Sequence, residues 1–116
     1  MVSHDWFLSF RRNSILGDIV RVDIFSAGQN KVINRLVAEF PPIVATFEGV
    51  PDEVVGWTCR SPEVVHYTYT KHAYRGLGVA RALTAGVRQH THQTSAGDRL
   101  AKKLQSLYNP FLISGV

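Results

Sequence analysis

Six consecutive residues, Arg75, Gly76, Leu77, Gly78, Val79 and Ala80, place small side chains behind a cation, just before an aliphatic run that reads as a helix. Amide N–H groups at a helix start lack carbonyl partners, and the aligned peptide dipoles favour an anion there. Small residues let a phosphate approach those amides, which is why phosphate cradles are rich in glycine. The amides of residues 76–80, with Arg75 beside them, therefore suit a phosphorylated ligand. They suit a tight strand-to-helix turn, with Arg75 in solvent, equally well. Two better-known glycine signatures are excluded. No Lys-Ser or Lys-Thr pair follows, as a P-loop requires, and no third glycine stands at the dinucleotide-binding spacing.

The segment feeding this motif, Glu63 to Thr70, is rich in β-branched and aromatic residues and reads as a strand. Strict alternation puts Val65, Tyr67 and Tyr69 on one face and His66, Thr68 and Thr70 on the other. That second face is polar, and it carries in His66 an imidazole whose ordinary pKa suits proton transfer near neutrality. An extended phosphorylated ligand could lie along such a strand. His90 and His92, two residues apart on a further strand, share a face, but no third ligand is adjacent and no metal site is assigned. The single cysteine, Cys59, excludes an intrachain disulfide framework and fits a reducing compartment. It reads as buried sheet filling, as does Trp57 beside it.

The elements that must position these residues follow from periodicity. Residues 3–14 suggest a short helix with Trp6, Phe7 and Phe10 on its apolar face. Residues 19–25 alternate, with Val20, Val22 and Ile24 on one clean apolar face, and predict a strand broken by Ser-Ala-Gly-Gln. Val32, Ile33, Leu36, Val37 and Phe40 then fall at helical spacing over 30–40, and Pro41 and Pro42 end that helix. Strands follow at 43–47, 53–59 and 63–70, the last two joined by a tight Arg-Ser-Pro connection. Beyond the glycine motif come a helix over 78–85 stopped by Gly86, a strand over 87–93, a helix capped by Ser95, and a short strand over 108–113. The order predicts one mixed α/β layer domain spanning residues 1–116.

The chain has 116 residues, enough to bury a core of its own. No apolar run approaches a membrane span and the start does not resemble a signal peptide, so the expected location is cytoplasmic, with no membrane partner. Thirteen Lys and Arg residues against nine Asp and Glu give a net charge of +4, which suits an encounter with polyanions. The basic residues are scattered, with no run of five, so a nucleic-acid partner has only the charge excess in its favour.

Arg75-x-x-Gly78-x-Ala80, within the longer string Thr-Tyr-Thr-Lys-His-Ala-Tyr-Arg-Gly-Leu-Gly-Val-Ala-Arg-Ala-Leu, resembles the acyl-CoA pyrophosphate signature of the GNAT superfamily of N-acyltransferases. The order of elements from about residue 19 to 113 is similar too. With the later Tyr-Asn-Pro-Phe-Leu, the string resembles small acetyltransferase-like proteins of tailed phages, which would place the chain in a bacterial host cytoplasm.

The resemblance implies a compact α/β (α+β) fold, with a mixed, largely antiparallel sheet flanked by helices and a shortened C-terminal part. It implies an acetyl-CoA-dependent N-acetyltransferase acting on an unidentified amine in a ternary complex, as a monomer or a homodimer. By the same resemblance Tyr67, Thr68, Tyr69 and Thr70 would pair with the pantetheine arm, and residues 75–80 would hold the pyrophosphate. Glu63 or His66 would act as base and Tyr108, just after the last helix, as the general acid. The alternative is a CoA-binding interaction module without turnover.

Overall fold

The computed structural model describes residues 2–14, 16–17 and 20–113. The first helix, α1 (Val2–Asn13), buries Trp6 and Phe10, one turn apart, with Asp5 in its first turn and Arg11 and Arg12 in its last. Those charges complement the helix dipole. The second, α2 (Val22–Glu39), buries Phe25, Ile33 and Leu36 on one stripe and ends at Phe40, ahead of Pro41 and Pro42. This overturns the strand expected over 19–25. Residues 18 and 19 lie outside the described residues, and from Val22 onward the segment is helical. Val22 and Ile24, which alternation assigned to a buried face, are 52% and 59% exposed, while Phe25 starts the true buried stripe.

The sheet contains β1 (Ile43–Phe47), β2 (Val50–Arg60), β3 (Val64–Thr70), β4 (Gln89–His90) and β5 (Leu107–Tyr108), and its spatial order repeats its chain order. The β1–β2 and β2–β3 ladders are antiparallel, whereas β3–β4 and β4–β5 are parallel. The sheet is thus mixed and, by ladder length, largely antiparallel. Parallel neighbours need crossover connections. Here these contain α3 (Val79–Leu83) between β3 and β4, and α4 (Ser95–Leu104) between β4 and β5.

α1 and α2 cover one face of the sheet. Trp6, Phe10, Phe25, Ile33 and Leu36 meet Trp57, Cys59 and Tyr67 in a single core cluster. Trp6 is its hub, with its ring centroid 5.9 Å from Trp57 and 5.3 Å from Tyr67. Tilted aromatic pairs of this kind add ~0.5–1.5 kcal/mol each beyond burial. α3 packs on the opposite face: a Cβ built on Gly56, next to Trp57 and so turned the other way, would lie 3.1 Å from Val79 Cγ1. Arg60 ties this helix to the β2–β3 turn, donating to the carbonyls of Leu83, Ser61 and Pro62.

Several element ends differ from expectation. β2 starts at Val50, immediately after a two-residue turn at Glu48 and Gly49, the latter at φ +77°. α4 is capped by Thr94, whose Oγ1 accepts from the Gly97 amide, and Ser95 is already helical. β4 keeps only two residues of the expected seven, and β5, at Leu107–Tyr108, keeps only Tyr108 of the expected six. After Tyr108 the chain turns at Pro110, where Asn109 Oδ1 accepts from the Phe111 amide. β1 is an outer strand with Ile43, Val44 and Phe47 all exposed. No described helix is long and apolar enough to cross a membrane.

Candidate functional site

β3 carries a bulge. Cys59 pairs with Tyr67 but Arg60 pairs with Val65, so His66 is an extra residue facing none of its own on β2. Two adjacent side chains at a bulge point the same way, and the strand's hydrogen-bonding sense reverses across it. Before the bulge the carbonyls of Glu63 and Val65 face β4, accepting from the amides of Arg88, Gln89 and Thr91. Beyond it, Tyr67 and Tyr69 face β2: Lys71, in register with them, donates its amide to Val55, and Thr58 Oγ1 reaches the Tyr67 carbonyl. The backbone groups of Thr68 and Thr70 consequently face away from β2.

β4 is no longer beside them. Its ladder with β3 covers only Val64 and Val65, and the two parallel strands part at the bulge. Among the described residues, Thr68 to Thr70 therefore have a paired strand on one side only. The other edge leads straight into the glycine turn. Arg75 Nε donates to the Thr70 carbonyl at 3.1 Å, and the Thr70 hydroxyl is buried with no partner among the described residues. Gly76 and Gly78 both stand at φ +83°, a left-handed conformation that side chains other than glycine adopt at a cost. Apart from its chain neighbours, no described residue comes within 4 Å of where a Cβ would be at either. Leu77 is 68% exposed, and Val79 and Ala80 open the five-residue α3. So short a helix adds little dipole, and any anion here would meet turn amides and Arg75.

The residues expected to act as bases lie elsewhere. His66 is not on the polar face with Thr68 and Thr70: the bulge turns it to the face of Tyr67, where it is 2% exposed. Its ring lies 4.6 Å from that of Phe40, and Nδ1 shares a 3.0 Å hydrogen bond with Thr91 Oγ1. Burial lowers its pKa, opposed by the negative charge of Glu39. Glu63 lies at the other end of β3 from the glycine turn, exposed and 3.8 Å from Arg88. Tyr67 sits under α1 with its hydroxyl 2.8 Å from Ser9 Oγ, and burial pushes its pKa up to about 12.

Beside the bulge, His92 turns inward, its ring 5.2 Å from Trp6 and 4.9 Å from Phe10. Its Nε2 is 3.0 Å from Gln29 Nε2 and its Nδ1 3.1 Å from Thr91 Oγ1. Burial, reinforced by His66, drives its pKa down to about 3, against a hydrogen bond to the His66 backbone. A polar chain thus runs from Gln29 through His92 and Thr91 to His66. Alternation could not reveal it, because it depends on the bulge. His90, by contrast, bonds Ser106 Oγ at 2.8 Å, so the two histidines serve separate surroundings. Among the described residues no three His, Cys, Asp or Glu side chains gather as a metal site.

Tyr108 is the other expected site residue that stands at an opening. It is 45% exposed, its ring 5.6 Å from that of His90, and it lines two adjacent pockets of about 300 and about 470 Å3. Gln93 and Asp98 line both as well. Asp98 reads in the sequence only as a first-turn helix acid, so nothing marked it as a site residue. Register places Tyr108 opposite His90, and His90 opposite Val65, so its backbone lies two ladders from the residue before the bulge. Two ladder spacings are ~10 Å. The structure therefore brings together the edge of Thr68–Thr70, Arg75 and the glycine turn, sets Tyr108 two ladders from Val65 toward the other end of β3, and buries His66 on the face covered by α1 and α2.

No protein-family model, no curated protein and no solved structure matches this chain.

Proposed function

We propose that the chain binds acyl-CoA along the open edge of β3 and transfers the acyl group to an amine. The observation that carries this reading is the parting of β3 and β4 at the His66 bulge. It leaves the backbone groups of Thr68 and the amide of Thr70 facing away from β2 with no strand paired to them, an edge that an arm bearing secondary amides can fill as a strand would. The edge leads to a turn where φ-positive glycines and Arg75 suit a pyrophosphate. The unpartnered Thr70 hydroxyl lies at that junction.

In the reaction a neutral amine attacks the thioester carbonyl carbon, a C–N bond forms and the C–S bond breaks. The amine gives up a proton, and the departing thiolate takes one. Tyr108, exposed and two ladders from Val65, is the hydroxyl to which this reading assigns the latter. The positions of His66 and Glu63 leave the amine's proton to solvent, and they favour a second reading: a CoA-binding module without turnover.

The deciding experiment is a thermal melt of the intact chain with acetyl-CoA, followed by a thiol-release screen over amines. A raised midpoint that disappears in folded Gly78→Asp supports binding at the turn, because the aspartate sets bulk and negative charge against the phosphates. No shift with wild type removes both readings. A shift without thiol release from any amine leaves the binding module.

A further inference from the structure

The smaller pocket at Tyr108 holds a carboxylate with no side-chain partner among the described residues. It lies between the end of α1 and the start of α4, and its volume of about 300 Å3 is at the small end for ligand sites. Phe10 and Leu16 supply apolar wall; Asn13, Gln93 and Tyr108 supply carboxamides and a hydroxyl. Asp98 is the one charged residue among those lining it. Half-buried, its carboxylate forms no hydrogen bond or ion pair among the described residues. Lys102, one helical turn on, borders the neighbouring pocket and makes no ion pair with it. The field of Asp98 nevertheless extends over the site, since it opposes the lowering of the His90 pKa by burial.

An acid in the first turn of a helix complements the dipole, which accounts for Asp98 as a helix residue. It does not account for the hydrogen-bonding wall around it. Gln93 and the Tyr108 hydroxyl also lack hydrogen-bond partners among the described residues, and Asn13 spends only its Nδ2, on the Ser9 carbonyl. A lone carboxylate partly withdrawn from water, ringed by unspent neutral polar groups, is complementary to one cation with a hydroxylated body.

We propose that this pocket binds a small organic monoammonium ion of about monosaccharide size, an amino sugar or an amino alcohol. Its ammonium group sits on Asp98, and its hydroxyls meet Asn13, Gln93 and Tyr108. One carboxylate matches one positive charge; a polyamine would leave further ammonium groups against Phe10 and Leu16. An anion is repelled by Asp98 itself. Because Tyr108 lines the pocket, the proposal deepens the acyl-transfer reading by naming the class of amine, while its test needs no acyl-CoA and so succeeds or fails separately from that reading.

The test is an NMR titration of the intact chain with glucosamine and, separately, with glucose, which keeps the ring and hydroxyls but has no ammonium group. Glucosamine should produce saturable shifts at the amides of Gln93, Thr94 and Asp98, and glucose should bind at least ~10-fold more weakly. Asp98→Asn should weaken glucosamine binding by ~10–100-fold, as loss of a charge-assisted contact does, while Asp98→Glu retains it. Equal binding of the two sugars, no shifts, shifts confined to another surface, or a folded Asp98→Asn that binds like wild type would each overturn the proposal. The comparison of the two sugars on the wild-type chain decides even where a variant does not fold.

Discussion

His66 and Tyr67 are consecutive in one strand, yet both rings press on the same face of the sheet, His66 against Phe40 of α2 and Tyr67 against Trp6 of α1. The bulge that makes this possible also ends the pairing of β3 with β4. Opening a gap on one side of the strand and burying a histidine on its face are thus one backbone event.

Three histidines held neutral make the fold acid-sensitive. His66, His90 and His92 all have folded pKa values below the ordinary 6.5, His92 at about 3. Above 6.5 neither state binds the protons and no stability is at stake. As the pH falls below 6.5 the unfolded chain takes them up while the folded chain resists, so stability declines toward the folded pKa values. Each histidine contributes a slope approaching ~1.4 kcal/mol per pH unit. Urea midpoints measured between pH 6.5 and 4.5, above most carboxylate titration, should fall steadily, and His92→Gln should flatten the decline.

Trp6 is fully buried at the centre of the aromatic cluster. Trp6→Ala should cost ~3–5 kcal/mol, the usual range for deleting a large buried ring. The readout is the urea midpoint at unchanged slope; a loss under 1 kcal/mol would show that α1 does not hold the sheet.

Burial pushes the Cys59 thiol up to about 12 and leaves it with no exposed surface. A disulfide reagent at pH 8 should therefore react only through unfolding. Labelling should accelerate with urea in proportion to the unfolded fraction, and fast labelling of native protein would contradict this packing.

Two glycines should respond oppositely to alanine. At Gly56 a Cβ would stand 2.7 Å from the Tyr69 carbonyl oxygen and 3.1 Å from Val79 Cγ1, so Gly56→Ala should cost ~1–3 kcal/mol and displace α3. Because α3 carries the end of the glycine turn, the same variant should blunt the acetyl-CoA melt response. At Gly28, inside α2, nothing lies within 4 Å, and Gly28→Ala should stabilise by ~0.5–1 kcal/mol. Matched unfolding curves test both.

Tyr108→Phe separates the catalyst from the binder. With an accepting amine in hand, kcat should drop by ~10²–10⁴ while the affinity for acetyl-CoA holds. An unchanged rate would reduce Tyr108 to a packing residue beside His90.

The strands at 43–47 and 63–70 and the tight turn between β2 and β3 were legible because β-branched and aromatic runs bounded by Ser, Pro and Gly have few other uses. Buried Cys59 was legible for a similar reason. The segment from 19 to 25 was not: seven residues can satisfy alternation while belonging to a helix whose stripe, Phe25, Ile33 and Leu36, extends far beyond them. Gly28 was read as a break, yet an exposed glycine is tolerated within α2 because packing elsewhere along the helix outweighs its propensity.

The site was legible at its glycine turn and not at its bulge. An inserted residue leaves no mark in composition, and alternation counted straight through His66 assigns every residue before it to the wrong face. The pocket beside Tyr108 escaped for another reason. Asn13 and Asp98 meet there from helices at opposite ends of the chain, and nothing local announces the meeting.

A sheet whose spatial order repeats its chain order can be assembled by adding each strand to the one before it, across two tight turns and then two helical crossovers. α1 is the exception. Its Ser9 meets Tyr67 across 58 residues, so Trp6 has no ring of the sheet to pack against until the middle of the sheet is in place. The burial of the apolar stripe of α1 against the sheet therefore depends on long-range contacts and marks the completion of the core rather than its nucleation.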